Sequence, residues 1–207
     1  MALLMVLFSS ASCGGDRMVI DGTAPEVFDG YNVYLVPRPY PKESEVDSTV
    51  IRHGRFRFSV PADSVRICHI SISRKANHPY EVLLVAIEKG TLEARLDTTS
   101  FCHGTPLNEV IQSWKEKMSD CGDKAFAVTM MMNSTSDPQA NAMLSAMRDS
   151  IYRSANQFTY RLILDNPNPV GGFIYFSNRH AFDSLETAEI LNRVGEWVPK
   201  LPQEHEE

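Results

Sequence analysis

The hydrophobic repeat of this chain changes once, near Thr105, and that change limits what either half can fold into. Before it, apolar side chains recur at every second position: Phe56, Phe58 and Val60 alternate with Arg55, Arg57 and Ser59, and Leu92, Ala94 and Leu96 alternate with Glu93 and Arg95. Successive side chains of a strand point to opposite faces, so each run makes one face for a core and one for water. After Thr105 the repeat lengthens to about 3.6 residues, and Leu107, Val110, Ile111, Trp114 and Met118 fall on one helical stripe. Strands first and helices second exclude alternating βαβ units. The expected fold is α+β: an antiparallel β-sandwich over residues 18–100, then a helical half over 105–195 and an acidic tail over 196–207.

Seven strands are expected, at 18–22, 31–36, 46–50, 56–60, 65–73, 80–88 and 91–97. The segment 46–61 reads as a β-hairpin, with Val46, Ser48 and Val50 on one arm and Phe56, Phe58 and Val60 on the other; Gly54 supplies a positive φ at the turn. Gly90 has the same role after the apolar run 80–88. In the helical half, Thr105 is placed to cap a helix with Pro106 in its first position. Asp137-Pro138 opens a long helix to about Leu164, with Met143, Met147, Ile151, Phe158 and Leu162 on one face; Met130, Met131 and Met132 precede it and read as core filling. A short helix follows Pro169, packed closely through Gly171 and Gly172. Asp183-Ser184-Leu185-Glu186 has capping-box spacing and starts a last helix that stops near Gly195.

The 207 residues are 43% hydrophobic, enough to bury a core. The net charge is −6 and the basic residues are scattered, which argues against a nucleic-acid partner. Residues 2–8 are apolar but too short to span a bilayer, and Ser9-Ser10-Ala11-Ser12 then leads into Cys13. This outline resembles a lipoprotein signal segment over 1–13, with Cys13 as the lipid-attachment residue and a membrane as the first partner. The expected location is the bacterial cell envelope, lipid-anchored, periplasmic or surface-exposed. Of the four cysteines, Cys68, Cys102 and Cys121 remain; with no C-x-x-C, the candidate disulfide is Cys68 with Cys102, or Cys102 with Cys121.

Four motifs carry a family resemblance: Asp47-Ser48-Thr49 with Gly54-Arg55-Phe56-Arg57-Phe58, Ile87-Glu88-Lys89-Gly90-Thr91-Leu92, Gly104-Thr105-Pro106-Leu107-Asn108, and Asn168-Pro169-Val170-Gly171-Gly172. Together they resemble the N-terminal region of bacterial envelope lipoproteins. In those proteins a β-rich domain of unknown function and its helical extension precede a thioredoxin-like or alkyl hydroperoxide reductase-like domain. The resemblance implies an envelope setting. It carries no redox residues here, since Trp197-Val198-Pro199-Lys200 lacks the cysteines of a W-C-x-x-C.

No group of side chains reads as catalytic, cofactor-binding or metal-binding. In the dipeptides Cys68-His69 and Cys102-His103 the neighbours point to opposite faces, so neither pair is set to hold one ion. Asp47 and Ser48 read as local hydrogen-bonding partners at the hairpin approach. His53, between Arg52 and Arg55, reads as a solvated tip with an anion-binding role as the alternative, and Tyr31, Tyr34 and Tyr40 as edge cover or a stacking surface. The expected function is non-enzymatic binding or scaffolding by a lipid-anchored envelope protein, with an envelope protein, a peptide or a glycan as partner. The alternatives are an accessory thiol-redox protein acting with a separate thioredoxin-like partner, and a carbohydrate- or peptide-binding module.

Overall fold

The computed structural model describes residues 16–73 and 78–200. Its strands are β1 (Arg17–Thr23), β2 (Asn32–Pro37), β3 (Asp47–Val50), β4 (Arg55–Pro61), β5 (Arg66–Ile72), β6 (Leu83–Ile87), β7 (Gly90–Arg95) and β8 (Phe101–His103). The α-helices are α1 (Pro106–Ser134), α2 (Pro138–Asp165), α3 (Pro169–Asn178) and α4 (Ser184–Val194). The strands form two four-stranded sheets, ordered β4-β1-β7-β8 and β3-β2-β5-β6. All pairings between these strands are antiparallel except that of β1 with β7, which is parallel. The fold is α+β, strands in the first half and helices in the second.

Two cores hold three layers together. Between the sheets lie Met18, Ile20, Phe56, Phe58, Val60 and Leu92 from one side and Val33, Leu35, Ile70, Ile72, Leu83 and Val85 from the other. On the far face of the second sheet, Ile67 and Ala86 pack with Ile111, Ile163, Phe173 and Ile174 of the helices. β5 and β6 therefore serve both cores, with Cys68 and Val85 facing one and Ile67 and Ala86 the other. A strand buried on both faces gains nothing from alternation, which is why 80–88 reads as a continuous apolar run.

The segment 46–61 makes the expected turn but not the expected hairpin. Arg52 and Arg55 exchange backbone hydrogen bonds (2.9 and 3.1 Å) around His53 and Gly54, whose φ values of 52 and 67° give the two positive dihedrals of a tight two-residue turn. β3 then pairs with β2 and β4 with β1, so this turn is the corner where the chain crosses between sheets. Pairing β4 with β1 sets Phe56, Phe58 and Val60 opposite Gly22, Ile20 and Met18. A Cβ on Gly22 would fall 2.1 Å from the Phe56 ring, so glycine is what admits the ring there. The 18–100 bound also stops short of an eighth strand, β8, which is only three residues long.

Three of the four α-helices are capped as their sequences direct, and two apolar faces need correction. Asp137, Asn168 and Asp183 each accept backbone N–H bonds at a helix start, and the Asp183–Glu186 capping box is complete. Gly90 has φ 131°. Cβ atoms on Gly171 and Gly172 would lie 2.0 Å from Asn166 O and 2.5 Å from Trp197 O, so α3 packs at glycine-only distance. The first correction is on α2, where the buried residues are Ala155, Thr159 and Ile163, while Met143 (71%) and Met147 (56%) are exposed. The second is on α1, which continues to Ser134 and exposes Met130 and Met131 instead of burying them. The residues of α1 that join the core beneath the second sheet are Leu107, Val110, Ile111 and Trp114, all in its first half, and Met130 and Met131 lie exposed beyond them.

Candidate functional site

The first turns of α1 close one end of the sandwich. β6 and β8 are edge strands, and Asn108 and Gln112, one turn apart on α1, are buried against them. Asn108 Oδ1 accepts from Ala86 N–H (2.9 Å) and its Nδ2 donates to Ala86 O (2.7 Å), so one amide replaces a missing neighbouring strand. Gln112 Oε1 accepts from Cys102 N–H (3.3 Å) on the other sheet. Thr105 makes no side-chain cap bond to α1; its hydroxyl accepts from Asn108 Nδ2 (2.8 Å). The cap is Glu88, whose Oε1 accepts from the N–H groups of Leu107 (2.7 Å) and Asn108 (3.3 Å). Two of the four motifs thus meet in one hydrogen-bonded junction whose work is structural.

The cysteines form no reactive centre with their neighbours. Cys68, Cys102 and Cys121 are free and buried, so neither candidate pair is joined. Burial pushes the Cys68 thiol up to about 11 against the opposing pull of Arg66, and the Cys102 thiol up to about 12 against that of Lys115. His69 lies on the opposite face from Cys68 and is pushed down by burial and by Arg38. His103 is exposed beside the Phe101 ring, 5.1 Å between centroids. Among the described residues no group of three His, Cys, Asp or Glu side chains is placed to hold a metal ion. Cys13 and its segment lie outside the described residues.

At the corner, the backbone N–H groups of His53 and Gly54 donate to Asp29 (2.9 and 2.8 Å). This is the role expected of Asp47 and Ser48, both of which are exposed. Asp29 was legible as an Asp-Gly turn signal before β2, but its partner lies 24 residues on. The three tyrosines do not share a surface: Tyr31 packs on the sandwich core, Tyr34 accepts from Asn32 Nδ2 (3.3 Å), and Tyr40 meets Phe176 edge-on.

What remains as a site is a broad cleft of about 1110 Å³ on the outer face of the first sheet. Strand register builds it. Arg55 of β4 stands opposite Thr23 of β1, Thr23 opposite Arg95 of β7, and Arg95 opposite Phe101 of β8; Arg52 bridges to Arg55 beyond the edge. The result is a transverse row, Arg52-Arg55-Thr23-Arg95-Phe101. Beside it runs Arg57-Asp21-Glu93-His103. Arg57 is paired with Asp21 (3.2 Å), and Arg95 lies over the Phe101 ring, 5.8 Å to its centroid, while donating to Asp97 (2.7 Å). That bond, with the Thr98 N–H, holds the Asp97 carboxyl below the usual carboxylate range. The guanidinium groups of Arg52 and Arg55 have no hydrogen bond or ion pair within the described residues. Sequence reading singled out Arg52, His53 and Arg55 as an anion-binding alternative but gave no sign that Arg95 and Phe101 would join the first and third of these.

Residues 18–111 match the family model "Domain of unknown function (DUF4369)", which covers the sandwich and the first turns of α1. No curated protein matches the chain. No helix among the described residues is long and apolar enough to cross a membrane.

Proposed function

We propose that this chain is the binding module of a lipid-anchored envelope protein, held to a membrane through Cys13, and that it takes an extended ligand bearing acidic groups across the outer face of its first sheet. The observation that carries the reading is the row Arg52-Arg55-Thr23-Arg95-Phe101, in which two guanidinium groups have no partner among the described residues and a third stacks on an aromatic ring. Guanidinium groups fix carboxylates by forked hydrogen bonds, and an exposed ring adds a stacking surface. The resemblance to regions that precede thioredoxin-like domains supports the envelope setting. Non-enzymatic action is supported by the thiols: buried groups with pKa values of about 11 and 12 hold thiolate fractions on the order of 10⁻⁴ or less at neutral pH.

The test is fluorescence anisotropy with a labelled six-glutamate peptide at low ionic strength. Binding is expected, weakening steeply as salt rises. The double variant Arg52→Glu, Arg55→Glu is expected to weaken it about tenfold, which corresponds to two exposed ion pairs lost and reversed. Equal binding by this variant would end the reading. The anchor is tested separately: incorporation of labelled fatty acid in a bacterial host should vanish with Cys13→Ser, and persistence of the label would remove Cys13 from its role.

A further inference from the structure

The basic row does not end at β8. Phe101 lines both the cleft just described and a second one of about 640 Å³, whose far wall is α1. That wall presents Glu116, Asp120 and Asp123, spaced four and three residues apart and so on one helical stripe. Lys115 also lines this cleft, but it is held by Glu81 (2.8 Å) and the Ser100 carbonyl. Glu116 accepts from Gln112 Nε2 (2.8 Å), Asp120 pairs with Lys124 (2.7 Å), and Asp123 is without a partner within the described residues. The two clefts therefore meet at Phe101: the first holds the Arg52 and Arg55 guanidinium groups, unpaired within the described residues, the tilted Phe101–His103 ring pair stands at the join, and the second is walled by carboxylates.

A uniform polyanion fits the first cleft and is repelled by the second. From this charge order we infer that the occupant is an extended polypeptide segment with acidic side chains at one end and basic ones at the other. The inference rests on the reading proposed above and adds the second charge to it. Three strand spacings of about 4.8 Å and a helix stripe of about 10 Å give a track on the order of 25 Å, or about seven extended residues. Acidic side chains seat on Arg52 and Arg55, and basic ones on the α1 stripe, at Asp123 and in exchange for Lys124 at Asp120.

Three labelled eight-residue peptides decide it: three glutamates, Gly-Ser, three lysines; the same peptide in reverse order; and eight glutamates. One dipolar order is expected to bind at least tenfold tighter than the all-glutamate peptide. Asp120→Lys with Asp123→Lys, both on the exposed face of α1, should abolish that advantage and leave all-glutamate binding unchanged or stronger. Circular dichroism of each variant confirms that the helix is intact. All-glutamate binding equal to both dipolar peptides, or a dipolar advantage that survives the α1 variant, overturns the inference and spares the anionic reading. Loss of all-glutamate binding, or its indifference to Arg52→Glu with Arg55→Glu, overturns both.

Discussion

Replacing Asn108 by alanine should cost this protein a large part of its stability. Asn108 is fully buried, and its amide is the partner of both the N–H and the carbonyl of Ala86, itself fully buried on the edge strand β6. Truncation leaves two backbone groups without partners, at about 1–3 kcal/mol each, and so costs about 2–6 kcal/mol out of a typical total of about 5–15 kcal/mol. In a domain of this size that lowers Tm on the order of 10 °C. Urea unfolding followed by far-UV circular dichroism measures it. Asn108→Leu separates packing from hydrogen bonding, because it restores volume but not the two bonds, and it should be no more stable than the alanine variant. Asn108→Asp adds a sign: the introduced carboxyl would face the Ala86 carbonyl and Glu88, so the fold favours its protonated form. A group whose folded pKa is raised is stabilised relative to the unfolded chain at low pH and loses that stability as pH rises, so this variant should be weaker at pH 8 than at pH 5. A leucine variant as stable as the parent, or an aspartate variant indifferent to pH, would refute the edge-pairing argument.

Gly172→Ala should destabilise by about 1–3 kcal/mol in the same assay, since the new Cβ would fall 2.5 Å from the Trp197 carbonyl oxygen and the backbone there must shift to admit it. Gly122→Ala on exposed α1, where nothing lies within 4 Å, should stabilise by about 0.5–1 kcal/mol. Asp29→Ala removes both side-chain bonds at the sheet-to-sheet corner, and a loss of about 1–2 kcal/mol in thermal unfolding is expected. Native protein treated with a chromogenic disulfide reagent should react slowly or not at all at Cys68 and Cys102, and at full rate in denaturant; a fast native thiol would revive the redox alternative.

The parts of the fold that were legible are those whose cause is local. Alternation in Phe56–Val60, capping at Asp137 and Asp183, and Gly171 against Asn166 all act within a few residues, and each took its expected form; Gly172, which meets Trp197, was legible only through its neighbour. What failed to show was set by distant partners. The arms flanking Gly54 have the pattern of a hairpin because both alternate; only the competition between β1 and β3 for β4 decides the sheet. β8 is too short to display a period. Asn108 and Gln112 read as ordinary polar positions of a helix start, because sequence does not show two edge strands waiting for an amide. Met143 and Met147 have helical spacing whether or not a sheet lies beneath them. The cleft was the least visible part, since its row runs across four strands and gathers one or two residues from each.

The parallel pairing of β1 with β7 makes the two sheets unequal in the length of chain each must span. The sheet β3-β2-β5-β6 draws on residues 32–87 alone, whereas β1 sits between β4 and β7 and so ties residues 17–23 to residues 90–95. Without β7, Met18 and Ile20 have β4 as a neighbour on one side only, and the row that needs β4, β1, β7 and β8 in register is incomplete. The row Arg52-Arg55-Thr23-Arg95-Phe101 is therefore joined across its middle by one strand, β1, held between β4 and β7.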